Sequence, residues 1–476
     1  RAHRPAIKID YRAEDRPYMV SVHALEDGQF FTAVKGSPSE VLELCRRCSI
    51  DGRLETLSED QRNSILTWNE RLGADALRVL GVAFCITADI SGYKQQELIW
   101  LGLVGMEDVI RPGMAELMAQ FHDAGIETVM ITGDQSSTAF SVGKRLGLNG
   151  AQGKPLEIID SGHLEKLDPS VLAGLVDRTS IFSRVSPSHK LLIVEALQRS
   201  GKVVAMTGDG INDSPALKAA NIGVTLGEKG TDAARSVADV ILEDDDLKTM
   251  VTAISEGRAI YDNIRKSLHY LLSTNLSEIE VMLFSAALGG AAEILNPMQL
   301  LWINLITDIF PALALALDPP EVDVLKRPPR DPNAAIVSRS DYAKLIRESG
   351  IITAGTLGVY GYSRMRYGPG QNAGTNAFMS LALAQLLHAY RCRSEHTSIF
   401  DSQGRPPNRH LDTAAGLSAV MQMLTVFLPP LRRLLRLSPV GAVDMIAIVA
   451  GAGLPLIANE AIKGINKNTL NQDNEK

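Results

Sequence analysis

The chain has 476 residues, 45% hydrophobic and 22% charged, with a mean hydropathy of +0.03, high for a soluble protein of that charge; its length suggests about three domains. A net charge of −7 gives no reason to expect a nucleic-acid partner. Four cysteines exclude a disulfide scaffold, and the pair Cys45 and Cys48 lacks the second pair that a zinc site requires. Both are read as helical cysteines without a metal role. The chain starts at Arg1 and shows no signal peptide, as a fragment would.

Residues 1 to about 100 open with strand-like alternation in Tyr18-Met19-Val20-Ser21-Val22 and Gln29-Phe30-Phe31-Thr32-Ala33-Val34. Lys35-Gly36-Ser37-Pro38-Ser39-Glu40 follows as a turn, and Glu40 to Arg47 reads as a helix. A lysine leaving a strand beside a glycine turn can contact a nucleotide, but Lys35 taken alone reads as a solvated surface residue.

Residues 101 to 250 alternate strands with helices. Leu101-Gly102-Leu103-Val104-Gly105 is a strand that runs out at Glu107-Asp108-Val109-Ile110-Arg111-Pro112. Met114 to Ala124 has helical spacing. Glu127-Thr128-Val129-Met130-Ile131 ends in Thr132-Gly133-Asp134, and Ile181-Phe182-Ser183-Arg184-Val185 leads to Ser186-Pro187-Ser188-His189-Lys190. Val203 to Met206 is a buried strand before Thr207-Gly208-Asp209-Gly210-Ile211-Asn212-Asp213. Ser214 then serves as a helix cap with Pro215 in the first turn. Such alternation argues a parallel sheet, and ligands bind at the carboxyl ends of its strands. Asp209 and Asp213 there are hard oxygen ligands suited to Mg²⁺ with phosphate.

The run from Met206 to Lys218, MTGDGINDSPALK, resembles the hinge motif of the P-type cation-transporting ATPases, membrane pumps built on a haloacid-dehalogenase-like phosphorylation domain. The resemblance extends over nearly the whole chain. KGSPSE is similar to the family's KGAPE, which turns Lys35 into an expected ATP-pocket residue. Leu77 to Ala83 resembles the GLRVLAVA strand, making Arg78 the phosphate-side arginine, although Ala76 stands where the family has Gly. Tyr11 to Met19 resembles FxSxRKxM with one extra residue and Pro17 in the Lys position, leaving Tyr11 as the candidate to stack on adenine. Asp108 and Arg111 correspond to the DPPR motif, and FSRVSPSHK to FARVxPxxK. The resemblance implies that Asp209 and Asp213 hold Mg²⁺. Lys190 acts as a point charge on the transferring phosphoryl group. Lys35, Arg78, Thr132, Gly133, Asp134, Arg184, Lys190 and Asn212 then bind ATP. The family's DKTGT run, with the Asp that is phosphorylated, does not occur here. The actuator domain and first four membrane helices precede that point, so the match is to the C-terminal half of a pump, with the N-terminal half as its missing partner.

From Glu256 on, apolar runs fall at about 267–292, 298–317, 347–363, 376–391, 412–430 and 438–459, read as six membrane spans. Arg258, Arg265, Lys266, Lys326, Arg327, Arg330, Arg391, Arg393 and Arg405 lie on the side taken as cytoplasmic; Arg432, Arg433 and Arg436 count against that orientation. Ionisable residues inside spans are functional candidates. Asn275 and Glu278 share a helix face by their i,i+3 spacing, as do Asn304, Thr307 and Asp308. Pro311 cannot donate to the Thr307 carbonyl, which frees an oxygen beside Asp308. Together these suit a hard cation such as Ca²⁺. NLITD with SxxNLSE resembles the type II calcium pumps. Sodium–potassium pumps carry Asp where Asn304 stands, and heavy-metal pumps have only two spans after the hinge motif. Gln385 stands where two-site calcium pumps have Glu.

The expected fold is an α/β cytoplasmic part followed by an all-α multi-span membrane domain. The cytoplasmic part combines a Rossmann-like haloacid-dehalogenase-type phosphorylation domain (101–250) with part of an α+β nucleotide-binding domain (1–100). The membrane domain (251–476) has about six helices. The expected function is ATP-driven Ca²⁺ transport through an aspartyl-phosphate, in the plasma membrane, with Mg²⁺ as cofactor and the bilayer as partner. The alternatives are a pump for Mn²⁺ or Na⁺, a non-catalytic truncated membrane protein, or a phosphohydrolase of the soluble type, which the apolar spans disfavour.

Overall fold

The computed structural model describes residues 5–11, 17–25, 28–50, 52–74, 77–88, 98–106, 110–148, 155–162, 169–287, 294–394, 398–399 and 406–474. The chain divides into two compact units, Arg1–Thr249 and Met250–Lys476.

The first unit begins with a seven-stranded sheet. Its strands are β1 (Ala6–Asp10), β2 (Tyr18–Ala24), β3 (Phe30–Gly36), β4 (Cys45–Ile50), β5 (Arg53–Thr56), β6 (Arg78–Thr87) and β7 (Leu98–Met106), in the order β1-β2-β3-β6-β7-β4-β5. All neighbours run antiparallel except β4 and β7. Alternation in the strands sends Val20, Val22, Val34, Ala83 and Trp100 to one face. There α1 (Pro38–Glu43) contributes Val41 and Leu42, and α2 (Glu59–Ala74) packs Ile65. β7 runs across residue 100, where the two cytoplasmic domains were expected to meet, and pairs with β6 along its length.

The expected helix from Glu40 to Arg47 ends instead at Glu43, and Cys45 and Cys48 lie on β4. An irregularity in the pairing with β7 between Cys45 and Arg47 adds a residue, so two cysteines three apart both face inward. The Cys45 thiol donates to the Val41 carbonyl at 3.1 Å.

The rest of the first unit alternates, as the motifs predict: α3 (Met114–Asp123), β8 (Met130–Ile131), α4 (Ser136–Leu146), β9 (Ile158–Asp160), α5 (Pro169–Val176), β10 (Ile181–Ser183), α6 (Pro187–Arg199), β11 (Ala205–Thr207), α7 (Ser214–Ala219), β12 (Ile222–Leu226), α8 (Asp232–Val237) and β13 (Val240–Leu242). The strands form two parallel sheets of three, β8-β10-β9 and β11-β12-β13, rather than one. Helix α6 joins them. Ile193 packs in the core of the first sheet and Val194 in that of the second, and Ile131 of β8 touches both cores.

The second unit is helical: α9 (Thr249–Ala287), α10 (Pro297–Trp302), a π-helical turn (Ile303–Asp308), α11 (Ile309–Ala316), α12 (Arg339–Tyr367), α13 (Gln371–Cys392), α14 (Arg409–Phe427), α15 (Pro429–Leu434) and α16 (Ala442–Asn474). Two helical segments are long and apolar enough to cross a membrane, Pro297–Ala316 and Ala442–Lys463. The other four expected spans are helical but do not reach that apolarity among the described residues. The burial pattern is inverted relative to a water-soluble bundle. Helix α13 buries Asn376, Ser380, Gln385, His388 and Arg391, while Leu283, Leu301, Leu313, Leu417, Ile446 and Leu454 stand exposed on the surrounding helices.

Candidate functional site

In the first unit the site is built on turns at the carboxyl ends of the short parallel strands. After β8, the Thr132 hydroxyl donates to Asp134 Oδ2 at 2.9 Å, and the Asp134 amide donates back to Thr132 Oγ1 at 3.1 Å. After β10, Arg184 takes a left-handed conformation, φ 52°, that a side chain with a Cβ rarely adopts. Its amide donates to the Asp134 carbonyl at 2.9 Å and its carbonyl accepts from Ser161 Oγ, so neighbouring turns impose the strain. The Arg184 guanidinium lies 3.5 Å from Asp160 and is exposed. The structure therefore brings Thr132, Gly133, Asp134 and Arg184 together, and adds Asp160 and Ser161.

After β11, Gly208 permits a tight return. A Cβ on it would stand 2.6 Å from the Asp213 Cβ. Residues Ile211–Asp213 form one 3₁₀ turn, and Asp213 is the residue before α7. Ser214 is inside α7 rather than its cap, because the 3₁₀ turn carries the helical path one residue earlier. Asp213 is buried, accepts from the Gly210 amide at 3.3 Å, and meets Lys190 Nζ at 2.5 Å. Lys190 comes from α6, whose cap is Ser186 with Pro187 in the first turn. Asp209 and Asn212 are exposed beside this pair. Lys190 and the hinge motif thus meet across 23 residues of sequence.

Lys35 and Arg78 belong to the seven-stranded sheet. The register sets Lys35 opposite Val82, and Arg78 begins β6, so both occupy one end of that sheet. Tyr11, just past β1, is at the same end and 69% exposed. Gly36 closes against Tyr18, where a Cβ would come within 2.5 Å of the Tyr18 Cβ. The side chain of Arg78, and the whole of Ala76, Asp108 and Arg405, lie outside the described residues.

In the second unit, α9 buries Tyr270, Ser273, Thr274, Ser277, Glu278 and Val281, one stripe at helical period. Glu278 Oε1 accepts from Gln385 Nε2 at 3.2 Å, and its Oε2 from Asn304 Nδ2 at 3.5 Å. Asp308 Oδ2 accepts from Thr274 Oγ1 at 3.1 Å. Among the described residues, Asp308 Oδ1 and Gln385 Oε1 are buried and accept no hydrogen bond. Glu278, Asn304, Asp308 and Gln385 therefore converge from α9, the π-helical turn and α13.

One expectation for this cluster fails. Asn275 is exposed on α9 and donates to the Leu271 carbonyl at 2.8 Å, away from the buried stripe. Sharing a face at i,i+3 leaves about 60° between two side chains, enough to put one outside. The Thr307 carbonyl, freed as expected, accepts from the Tyr270 hydroxyl at 2.8 Å, and the Thr307 hydroxyl donates to the Ile303 carbonyl at 2.7 Å. The π-helical turn loosens the backbone ladder, and the Ile306 carbonyl likewise accepts from Ser418 at 2.7 Å. Tyr270, Thr274 and Ser418 were not singled out in the sequence; the period of the small polar residues along α9 was the available signal for Thr274.

Three family profiles match the chain: "P-type ATPase, cytoplasmic domain N" over residues 3–113, "haloacid dehalogenase-like hydrolase" over 63–221, and "Cation transporting ATPase, C-terminus" over 292–465. Calcium-transporting ATPase 1 of Bacillus cereus is 37% identical over 474 residues, covering 95% of this chain and 52% of the relative. The calcium-transporting ATPase of Bacillus subtilis is 36% identical, covering 92% and 49%. The human calcium-transporting ATPase type 2C member 1 is 34% identical, covering 91% and 46%. The chain spans about half the length of the curated relatives it matches.

Proposed function

The chain belongs to the P-type cation-transporting ATPases, of the calcium-pump-like kind, and from that premise we propose that it serves ATP-driven transport of Ca²⁺ across a membrane. The observation that carries this reading is the convergence of Glu278, Asn304, Asp308 and Gln385 with two buried oxygens unmet by any donor among the described residues. Two buried carboxylates without a cationic side chain bonded to either are costly, and a bound cation offsets that cost. Every donor to the ion is a hard oxygen, which suits Ca²⁺.

Six spans remain the reading for the second unit. A helix whose polar side chains all point inward need not be apolar overall, and α13 buries 17 of its 22 residues. Its lipid-facing work passes to neighbours such as α14 and α16, with Leu417, Val420, Ile446 and Val449 exposed. At about 1.5 Å per residue, α12 and α13 exceed the ~30 Å hydrocarbon core.

In the first unit, ATP is the substrate. Asp209 and Asp213 would hold Mg²⁺, which offsets phosphate charge when bound; the donor set fits, being two carboxylates on one glycine-rich turn. Lys190 orients Asp213 and presents positive charge to the transferring phosphoryl group. Thr132, Gly133, Asp134, Arg184 and Asn212 line the phosphate end, and Lys35, Arg78 and Tyr11 the nucleotide end. The 476 residues hold no DKTGT run. The groups named here therefore bind and orient the phosphoryl group rather than receive it.

Equilibrium binding of radioactive Ca²⁺ to the chain in detergent tests the ion site. Saturable binding, weakened roughly 100-fold by Asp308→Asn, is expected, since an unbalanced buried charge is worth about 3 kcal/mol. Saturable binding with unchanged affinity in that variant would remove Asp308 from the site, and no saturable binding would sink the proposal.

A further inference from the structure

The second unit holds a cluster that the oxygen site does not use. His388 and Cys392 are four residues apart on α13 and share a helix face. His269 of α9 approaches them, its ring centroid 6.4 Å from that of His388. One ring nitrogen of each histidine and the Cys392 sulfur all lie within 4.8 Å of one another. His388 and Cys392 are buried, and the His269 side chain is 17% exposed.

The surroundings are those of a ligand set. Glu348 of α12 sets its Oε2 2.8 Å from His269 Nε2 and 3.7 Å from His388 Nε2. The Ser273 hydroxyl meets His388 Nε2 at 2.9 Å. Carboxylate and hydroxyl partners of this kind fix the rings of metal-binding histidines. Arg391 pairs with Glu348 Oε1 at 2.6 Å, so one buried cation is already balanced by that carboxylate. Tyr270, Leu315, Ala389 and Leu411 wall the cluster with apolar surface.

We propose that His269, His388 and Cys392 bind a thiophilic divalent cation of the Zn²⁺ class, with Glu348 holding the histidine rings from outside the ligand set. On binding, the S–H bond of Cys392 breaks, its proton passes to buffer, and sulfur donates its electron pair to the metal. The nitrogen and sulfur donors select against Ca²⁺, so this is not a second transport site. His388 is one turn from Gln385, which bonds Glu278. A metal joining α9 to α13 therefore braces the two helices that carry half of the oxygen cluster.

Cobalt is the probe, because a thiolate ligand gives Co²⁺ a near-ultraviolet charge-transfer band. The chain is purified in detergent as the Cys45→Ser, Cys48→Ser, Cys85→Ser variant, stripped with chelator and titrated with Co²⁺. One equivalent should bind with that band, and Zn²⁺ should bleach it. Cys392→Ser should remove the band, His388→Asn and His269→Asn should each lower affinity at least tenfold, and Glu348→Gln should lower it about 10–100-fold. Asp308→Asn should leave it unchanged. No band in a sample with its helical circular dichroism intact overturns the proposal. So does an affinity unchanged from the parent in both histidine variants.

Discussion

Lys190→Met tests whether the pair with Asp213 holds the hinge motif together. The ammonium stands 2.5 Å from Asp213 Oδ1, with side-chain exposures of 20% and 11%. Removing one partner of a fully buried pair costs about 3–5 kcal/mol. Partial solvent access at Lys190 reduces this to roughly 2–3 kcal/mol. Asp213 anchors the 3₁₀ turn through the Gly210 amide, so the loss falls on residues 208–217 rather than on the whole unit. Amide hydrogen exchange of that segment, measured in the full chain, should speed up by roughly 30- to 160-fold. Asp213→Asn should produce a similar change. The double variant should be no worse than either single one, because the cost is the unpaired charge. Strict additivity of the two effects would refute the ion pair as the source of order in this turn.

Gly208→Ala forces the Asp213 side chain to move and should open the same segment by about 1–3 kcal/mol, read by the same exchange measurement. Asn275→Ala should leave Ca²⁺ affinity within about twofold, since its amide serves its own helix; a tenfold loss would return Asn275 to the site. Tyr270→Phe strands the Thr307 carbonyl and should cost about 1–3 kcal/mol, seen as faster thermal loss of Ca²⁺ binding. Burial raises the Cys45 thiol from 9.0 to about 12. The folded state therefore keeps a proton that the unfolded chain loses. Stability is full below pH 9, and this site removes up to about 1.4 kcal/mol per pH unit between 9 and 12. Alkaline denaturation of Cys45→Ala should show a shallower fall over that window.

The sequence by itself determined the local content of both clusters. Strand and glycine turn are written in MTGDGINDSPALK, and strand and capped helix in FSRVSPSHK, because turn chemistry depends on neighbours a few residues away. The carboxylates Glu278 and Asp308 were equally legible, since a charge amid apolar residues is conspicuous on any helix. What lay beyond the sequence was sidedness and partnership. Asn275 and Glu278 are spaced alike, and only the packing of α13 and the π-helical turn against α9 decides that Glu278 faces inward. The carbonyl freed by Pro311 was predictable, but not the Tyr270 hydroxyl that takes it from 37 residues away. Cys45 and Cys48 looked helical until a bulge against β7 turned both inward on a strand. Likewise His269, Glu348 and His388 are scattered over more than a hundred residues and three helices, and meet because Glu348 and His388 lie on faces their helices bury and His269 borders the buried stripe of α9. Local backbone preferences act over a few residues. Which face each helix buries is a property of the assembled unit, and that choice determines which oxygens, nitrogens and sulfur come together.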